Sequence, residues 1–223
     1  MSGIVQASNG KVGIGFIQLT IHLTSGGKQQ FLQTDPELAE ALLEHLRPER
    51  IFTQPQILIA GTDAVTVLAA DSVERIDLCS DPLPDWPHRV GITDIHEILE
   101  EDFQRIQRRE HKLPSERPVP GSGNPPPPLE LGVAAELRSG AVAHMSVHPR
   151  PPQNLGDGVA DTPLTPDDAR AFLRHLFDRS VVFGRMEENA GVFLINPANA
   201  VRFVLTPPPP VQSLPSVWPM NRM

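Results

Sequence analysis

The stretch PELAEALLEHL at residues 36 to 46 returns as PDDARAFLRHL at 166 to 176, with a histidine at the same place in each. Aligned without gaps from Asp35 to Leu46 and from Thr165 to Leu176, the two share Pro, Ala, Ala, Leu, His and Leu, 6 of 12 positions. Amphipathic helices resemble one another for generic reasons, so the order of the flanking elements decides whether this is a repeat.

Apolar Ile17, Leu19, Ile21 and Leu23 alternate with Gln18, Thr20, His22 and Thr24, the period of a half-buried strand. Ser25, Gly26, Gly27 and Lys28 form a hairpin turn, and QQFLQ returns as a second strand. Asp35 is placed to cap a helix that Pro36 opens, and Leu38, Ala39, Leu42, Leu43 and Leu46 share one face before Pro48 ends it. QILIA, AVTVLAA and SVERIDL then read as three strands, giving β-β-α-β-β-β.

The second half repeats that order. LGVAAELRSGAVAHMSV predicts a hairpin around Ser139 and Gly140, and Thr165 and Pro166 begin a helix bearing Ala169, Phe172, Leu173 and Leu176. SVVFGRM, GVFLIN and AVRFVL supply the last three strands. Residues 65 to 78 align with 192 to 205, sharing Val65 with Val192, Arg75 with Arg202, and Leu78 with Leu205. Both tryptophans sit in a similar frame after the last strand, LPDWPHR at 83 to 89 and LPSVWPMNR at 214 to 222. A tryptophan buries about 150–250 Å², so each is expected to latch a proline-stiffened strap onto its own domain.

Between the copies, Ile92, Ile95, Leu99, Phe103 and Ile106 are spaced 3, 4, 4 and 3, and Asp94 with Glu97 reads as a capping box. The spacing predicts one amphipathic helix from about 93 to 111, acidic at its start and basic in its last turns. LPSERPVPGSGNPPPP at 113 to 128 is an extended tether. The expected fold is α+β, a tandem duplication of a small β-β-α-β-β-β domain. Its parts are a first repeat over 1–89, a linker helix and Pro-rich tether over 90–128, and a second repeat over 129–223, packed on each other with approximate twofold symmetry.

Composition narrows the functional classes. With 19 basic and 27 acidic residues the formal charge is −8, and neither half is a basic patch, so nucleic acid is not an expected partner. No apolar run approaches the roughly 20 residues needed to span a bilayer. The opening MSGIVQASNGKVG lacks the blocks of a signal peptide, and Cys79 is the single cysteine, so a reducing, cytoplasmic setting is expected.

No catalytic, cofactor-binding or metal-binding signature is legible, and no cofactor is expected. GKVGIGF at 10 to 16 lacks the fingerprint of a phosphate loop. His144 and His148 lie at i and i+4 on a strand, about 13 Å apart, too far to share an ion, and His45 and His175 border the apolar face of their helices. The candidate interface or ligand contacts are His45, His175, Arg75, Arg202, Trp86 and Trp218. The leading expectation is a non-enzymatic adaptor or assembly protein that docks an unidentified protein through paired repeats, and assembly into a homo-oligomer is compatible with it. The alternatives are a regulatory pair binding a small ligand between the repeats and, last, a histidine-based metal enzyme.

Overall fold

The alternation in residues 17 to 23 and the glycine of the following turn together make the first hairpin. The computed structural model describes residues 14–60, 64–87, 92–110, 131–149, 181–186 and 191–206. Strand β1 (Ile17–Leu23) pairs antiparallel with β2 (Lys28–Gln33), and Gly26 takes φ 84° between them, a conformation costly for a residue with a Cβ. Helix α1 (Pro36–His45) is capped by Asp35, whose side chain accepts from the N–H groups of Glu37 and Leu38. Strands β3 (Gln56–Ala60) and β4 (Val65–Ala69) pair with each other, and a 3-10 turn (Ala70–Ser72) leads into β5 (Val73–Ser80).

The chain divides into two compact units that interleave in sequence: Met1–Pro87 with Arg138–Gly140 and Ser180–Ala200, and His88–Leu137 with Ala141–Arg179 and Val201–Met223. Residues 180 to 200, expected within the second repeat, thus group with the first unit.

In that first unit, β9 (Val182–Met186) and β10 (Gly191–Ile195) complete an antiparallel sheet in the order β2-β1-β5-β10-β9. One face of it, with Ile17, Leu19, Ile21, Ile76, Leu78, Phe183, Val192 and Leu194, is buried. Ala39, Leu42, Leu43 and Leu46 of α1 and Ile57, Ile59 and Leu68 of the β3-β4 hairpin pack into the same core. Two buried asparagines tie its distant segments together. Asn196 Nδ2 donates to the carbonyls of Ala70 and Val73 (3.1 and 3.2 Å), and Asn199 Nδ2 to those of Asp71 and Val73, both at 2.8 Å. Buried Glu74 accepts from the N–H and hydroxyl of Ser139 at 3.0 and 2.5 Å.

The second unit is built differently from the expectation at its start. The expected single helix from about 93 to 111 is instead strand β6 (Ile92–Glu97) followed by a shorter helix α2 (Glu100–Glu110). ITDIHE carries three β-branched residues, Ile92, Thr93 and Ile95, and pairing with β8 (Val142–Pro149) satisfies its backbone, so tertiary context overrides the helical spacing. Asp94 is no helix cap: its Oδ1 accepts from the neighbouring Ile95 N–H. Of the predicted seam, Ile95, Phe103 and Ile106 are buried and Leu99 is exposed. With β7 (Leu131–Leu137) and β11 (Ala200–Thr206), the strand order of this unit is β6-β8-β7-β11. Helix α2 lies on β7 and β8, where Gly132 leaves room: a Cβ there would meet Thr206 Cγ2 at 2.9 Å and the Phe103 ring at 3.1 Å.

Several local features recur at constant spacing. Ile17, Gly26 and Lys28 stand 114 positions before Leu131, Gly140 and Val142, and Gly140 has φ 88°. Leu23 N–H donates to the Gly27 carbonyl, as Leu137 N–H does to Ala141. A 3-10 turn at Pro197–Asn199 precedes β11, 127 positions after the one before β5. Thr24 N–H donates to the carbonyl of Ser72, and Arg138 N–H to that of Asn199. The middle hairpins differ: β10 joins β5, whereas β3 and β4 pair with each other alone among the described residues. The helix expected at 166–176 lies outside the described residues.

The β10-β5 pair generates a test. A Cβ on Gly191 would clash with Met186 Cε and stand 2.7 Å from the Leu78 carbonyl, which cannot move without breaking the ladder. Gly191→Ala is expected to cost about 1–3 kcal/mol in urea unfolding. Gly26→Ala, where nothing lies within 4 Å of a Cβ, should lose only about 1–2 kcal/mol of backbone strain.

Candidate functional site

Directly opposed residues of antiparallel strands share a face, and this brings histidines together in the second unit. Register places Asp94 opposite His148 and His96 opposite Ser146, while Ser146 and His144 face Gly132 and Ala134 of β7. His96 Nε2 lies 2.9 Å from Asp94 Oδ2, and the His96 and His148 rings meet edge to face with centroids 5.9 Å apart. His148 Nε2 is 3.4 Å from Ser146 Oγ, and His144 lies against Phe103 at 5.0 Å. His96 and Asp94 were not legible as partners of His148, because their segment has helical spacing.

The residue types are those of a nucleophilic triad, but the connectivity is not. Asp94 pairs with His96, whereas Ser146 is bonded to His148, so among the described residues no carboxylate is seen to orient the histidine beside the hydroxyl. Ser146 is also buried. Among the described residues, no group of three His, Cys, Asp or Glu side chains could hold a metal ion. What the cluster does is satisfy polar groups on the face that α2 covers.

The second polar centre is in the first unit, on the sheet face opposite its core. Asp77 accepts from His22 at 2.7 Å and from Arg75 Nε at 2.5 Å. The Arg75 guanidinium lies 5.6 Å from the Phe193 ring centroid and reaches Met186 Sδ at 3.7 Å. Burial pushes the Asp77 carboxyl upward, but the His22 hydrogen bond and the charge and hydrogen bond of Arg75 outweigh it, holding its pKa below the ordinary 3.8. Burial, and then the charge of Asp77, raises the Cys79 thiol above 9.0, so that thiol is not an activated nucleophile.

The other candidates from the sequence fall in different places. His45 is exposed at the end of α1, on the core side of the sheet, and Arg75 projects from the opposite face, so the two do not converge. Arg202 pairs with Glu136 at 2.6 Å in the second unit, half exposed. Trp86 follows a cis Asp81-Pro82 bond and packs against the first unit's core, its ring edge-on to Phe183 with centroids 6.2 Å apart. His175 and Trp218 lie outside the described residues. No described helix is long and apolar enough to cross a membrane.

One edge of the first unit's sheet is open among the described residues. Strand β2 (KQQFLQ) ends that sheet, and no strand but β1 pairs with it among the described residues. Phe31 packs toward the core while Leu32 is 67% exposed, and Lys28 is the strand's one charge. Such an edge presents backbone donors and acceptors to an added strand, with little charge to repel it. Comparison with known protein families, characterised proteins and solved structures finds no match for this chain.

Asp77 provides a pH test with a definite sign. Its folded pKa is depressed, so its contribution is complete above about pH 4 and is lost as the pH falls through the folded value. Asp77→Asn should lower stability at neutral pH by about 1.5–3 kcal/mol and flatten the acid limb of a melting-temperature profile.

Proposed function

We propose that the chain is a non-enzymatic adaptor or assembly protein made by duplicating one module, and that it docks an extended segment of another protein along the β2 edge. The observation that carries the docking reading is the β2 edge, unpaired among the described residues, with Leu32 two-thirds exposed (67%). Addition of a strand uses main-chain hydrogen bonds for affinity and alternate side chains for selection. Glutamines at positions 29, 30 and 33 and the apolar Leu32 suit an uncharged or weakly charged partner strand. The duplication is supported by the 114-position spacing of the two hairpins, by their matched glycine turns, and by the 127-position spacing of the two 3-10 turns.

The ligand-binding alternative finds less support. His45 is exposed on the core side of the sheet and Arg75 is engaged by Asp77 on the opposite face, so the two do not converge on one small molecule.

The test is co-purification of the full chain from its native cell, followed by hydrogen exchange on the recovered complex. Residues 28–33 should gain protection, and Leu32→Glu should abolish capture while shifting stability by less than about 0.5 kcal/mol, as surface substitutions do. A partner that binds the Leu32→Glu chain equally well, or protects another region and leaves β2 exchanging freely, would end the edge-docking reading.

A further inference from the structure

On the duplication reading each strand of one half has a counterpart in the other, and one pairing lacks its match. At the 127-position spacing of the two 3-10 turns, β4 corresponds to β10 and β5 to β11. Strand β10 lies against β5, with Val192 opposite Leu78 and Leu194 opposite Ile76. The counterparts are not joined in this way. Among the described residues β4 has only β3 beside it, and β11 has only β7.

Side-chain exposure follows the pairing. Ile76, Leu78, Val192 and Leu194 are buried. Of their counterparts, Val65 and Val67 are 61% and 53% exposed, and Phe203 and Leu205 are partly exposed. The Arg75 side chain is 13% exposed and that of its counterpart Arg202 is 57% exposed. Strand β11 therefore has the open main-chain groups and uncovered apolar side chains of an edge that can take another strand.

We infer that β4 of one copy of the chain adds to the β11 edge of a second copy, in the register that β10 adopts on β5. Moved by 127 positions, that register sets Val65 opposite Leu205, Thr66 opposite Val204, Val67 opposite Phe203 and Leu68 opposite Arg202. Val65 and Val67 then share a face with Leu205 and Phe203, so apolar side chains meet apolar side chains. Strand β4 carries no charge, and the one charge of β11, Arg202, is held by Glu136 at 2.6 Å, so the junction buries no unpaired charge. A second copy suits the β11 edge because β4 has the apolar pattern of β10, with Val65 for Val192 and Val67 for Leu194, and every copy holds one β4 and one β11. The inference rests on the duplication reading, which supplies the correspondence of positions, and not on docking at β2.

Sedimentation of the full chain over a concentration series provides the test. The mass should rise above that of the monomer. Val67→Glu, which sets a carboxylate among apolar side chains, should raise the midpoint concentration about tenfold or more, and Leu32→Glu should leave it unchanged. Val67 is exposed in the single chain, so Val67→Glu should keep the wild-type melting temperature at dilutions where both chains are monomers. Cross-linking in a Cys79→Ser background gives the second readout. A chain with Val65→Cys mixed with a chain with Leu205→Cys should form a mixed disulfide on mild oxidation, and Val201→Cys in place of Leu205→Cys should not. A chain that stays monomeric throughout the series overturns the proposal, as does assembly indifferent to Val67→Glu. A Val65→Cys, Leu205→Cys double variant that closes its disulfide only within one chain overturns it as well. An experimental structure whose two halves superpose while β4 and β11 stay apart would overturn the strand addition and leave the duplication standing. Halves that fail to superpose would remove the duplication, and this inference with it.

Discussion

The architecture of the first unit depends on β5 accepting β10 as a neighbour. Residues 73–80 and 191–195 are more than 110 positions apart, yet their ladder supplies one side of the core with Val192, Leu194 and, through β9, Phe183. Closing so long a loop is costly, and the buried asparagines help to offset it. Asn196 and Asn199 each bond two carbonyls in the 70–73 segment, so an open junction would leave buried donors and acceptors unsatisfied. That requirement specifies which segment β10 joins, beyond the general preference of one strand for another. A chain with mostly non-local pairings of this kind is expected to fold slowly.

The polar residues inside the sheets have a related role. Asp77 is held between His22 and Arg75, and Glu74 is held by Ser139, so each buried carboxylate has donors that compensate for lost water. In the second unit Asp94, His96, Ser146 and His148 engage one another on the face that α2 crosses, and Gly132 makes space for the Phe103 ring. These arrangements account for the polar side chains by structure, which directs a functional reading toward the surfaces left open among the described residues. The β2 edge is one such surface, and the outer face of the β3-β4 hairpin is another.

The strands, their turns and the first helix were legible because each rests on local chemistry. Alternation marks β1, Gly26 and Gly140 mark turns that need positive φ, and Asp35 with Pro36 marks a helix start. The segment at 92–110 misleads for a physical reason: isoleucines three apart fit a helix, but β6 pairs with β8, and the helix begins only at Glu100. The His96 and His148 contact was hidden for the same reason, since it exists only once those strands lie side by side.

Outside residues 92–110, the sequence alone determined the order of the described elements, where each hairpin turns and which side of β1 is apolar, because these depend on residues within a few positions of one another. Only the tertiary structure decided that β9 and β10 complete the sheet of β1, β2 and β5, and that β3 and β4, among the described residues, pair with each other alone. Strand period dictates that a face must be covered, but any apolar face and any open edge can serve as the cover. The choice among them is made by packing and by buried hydrogen bonds such as those of Asn196 and Asn199, which join residues more than 120 positions apart.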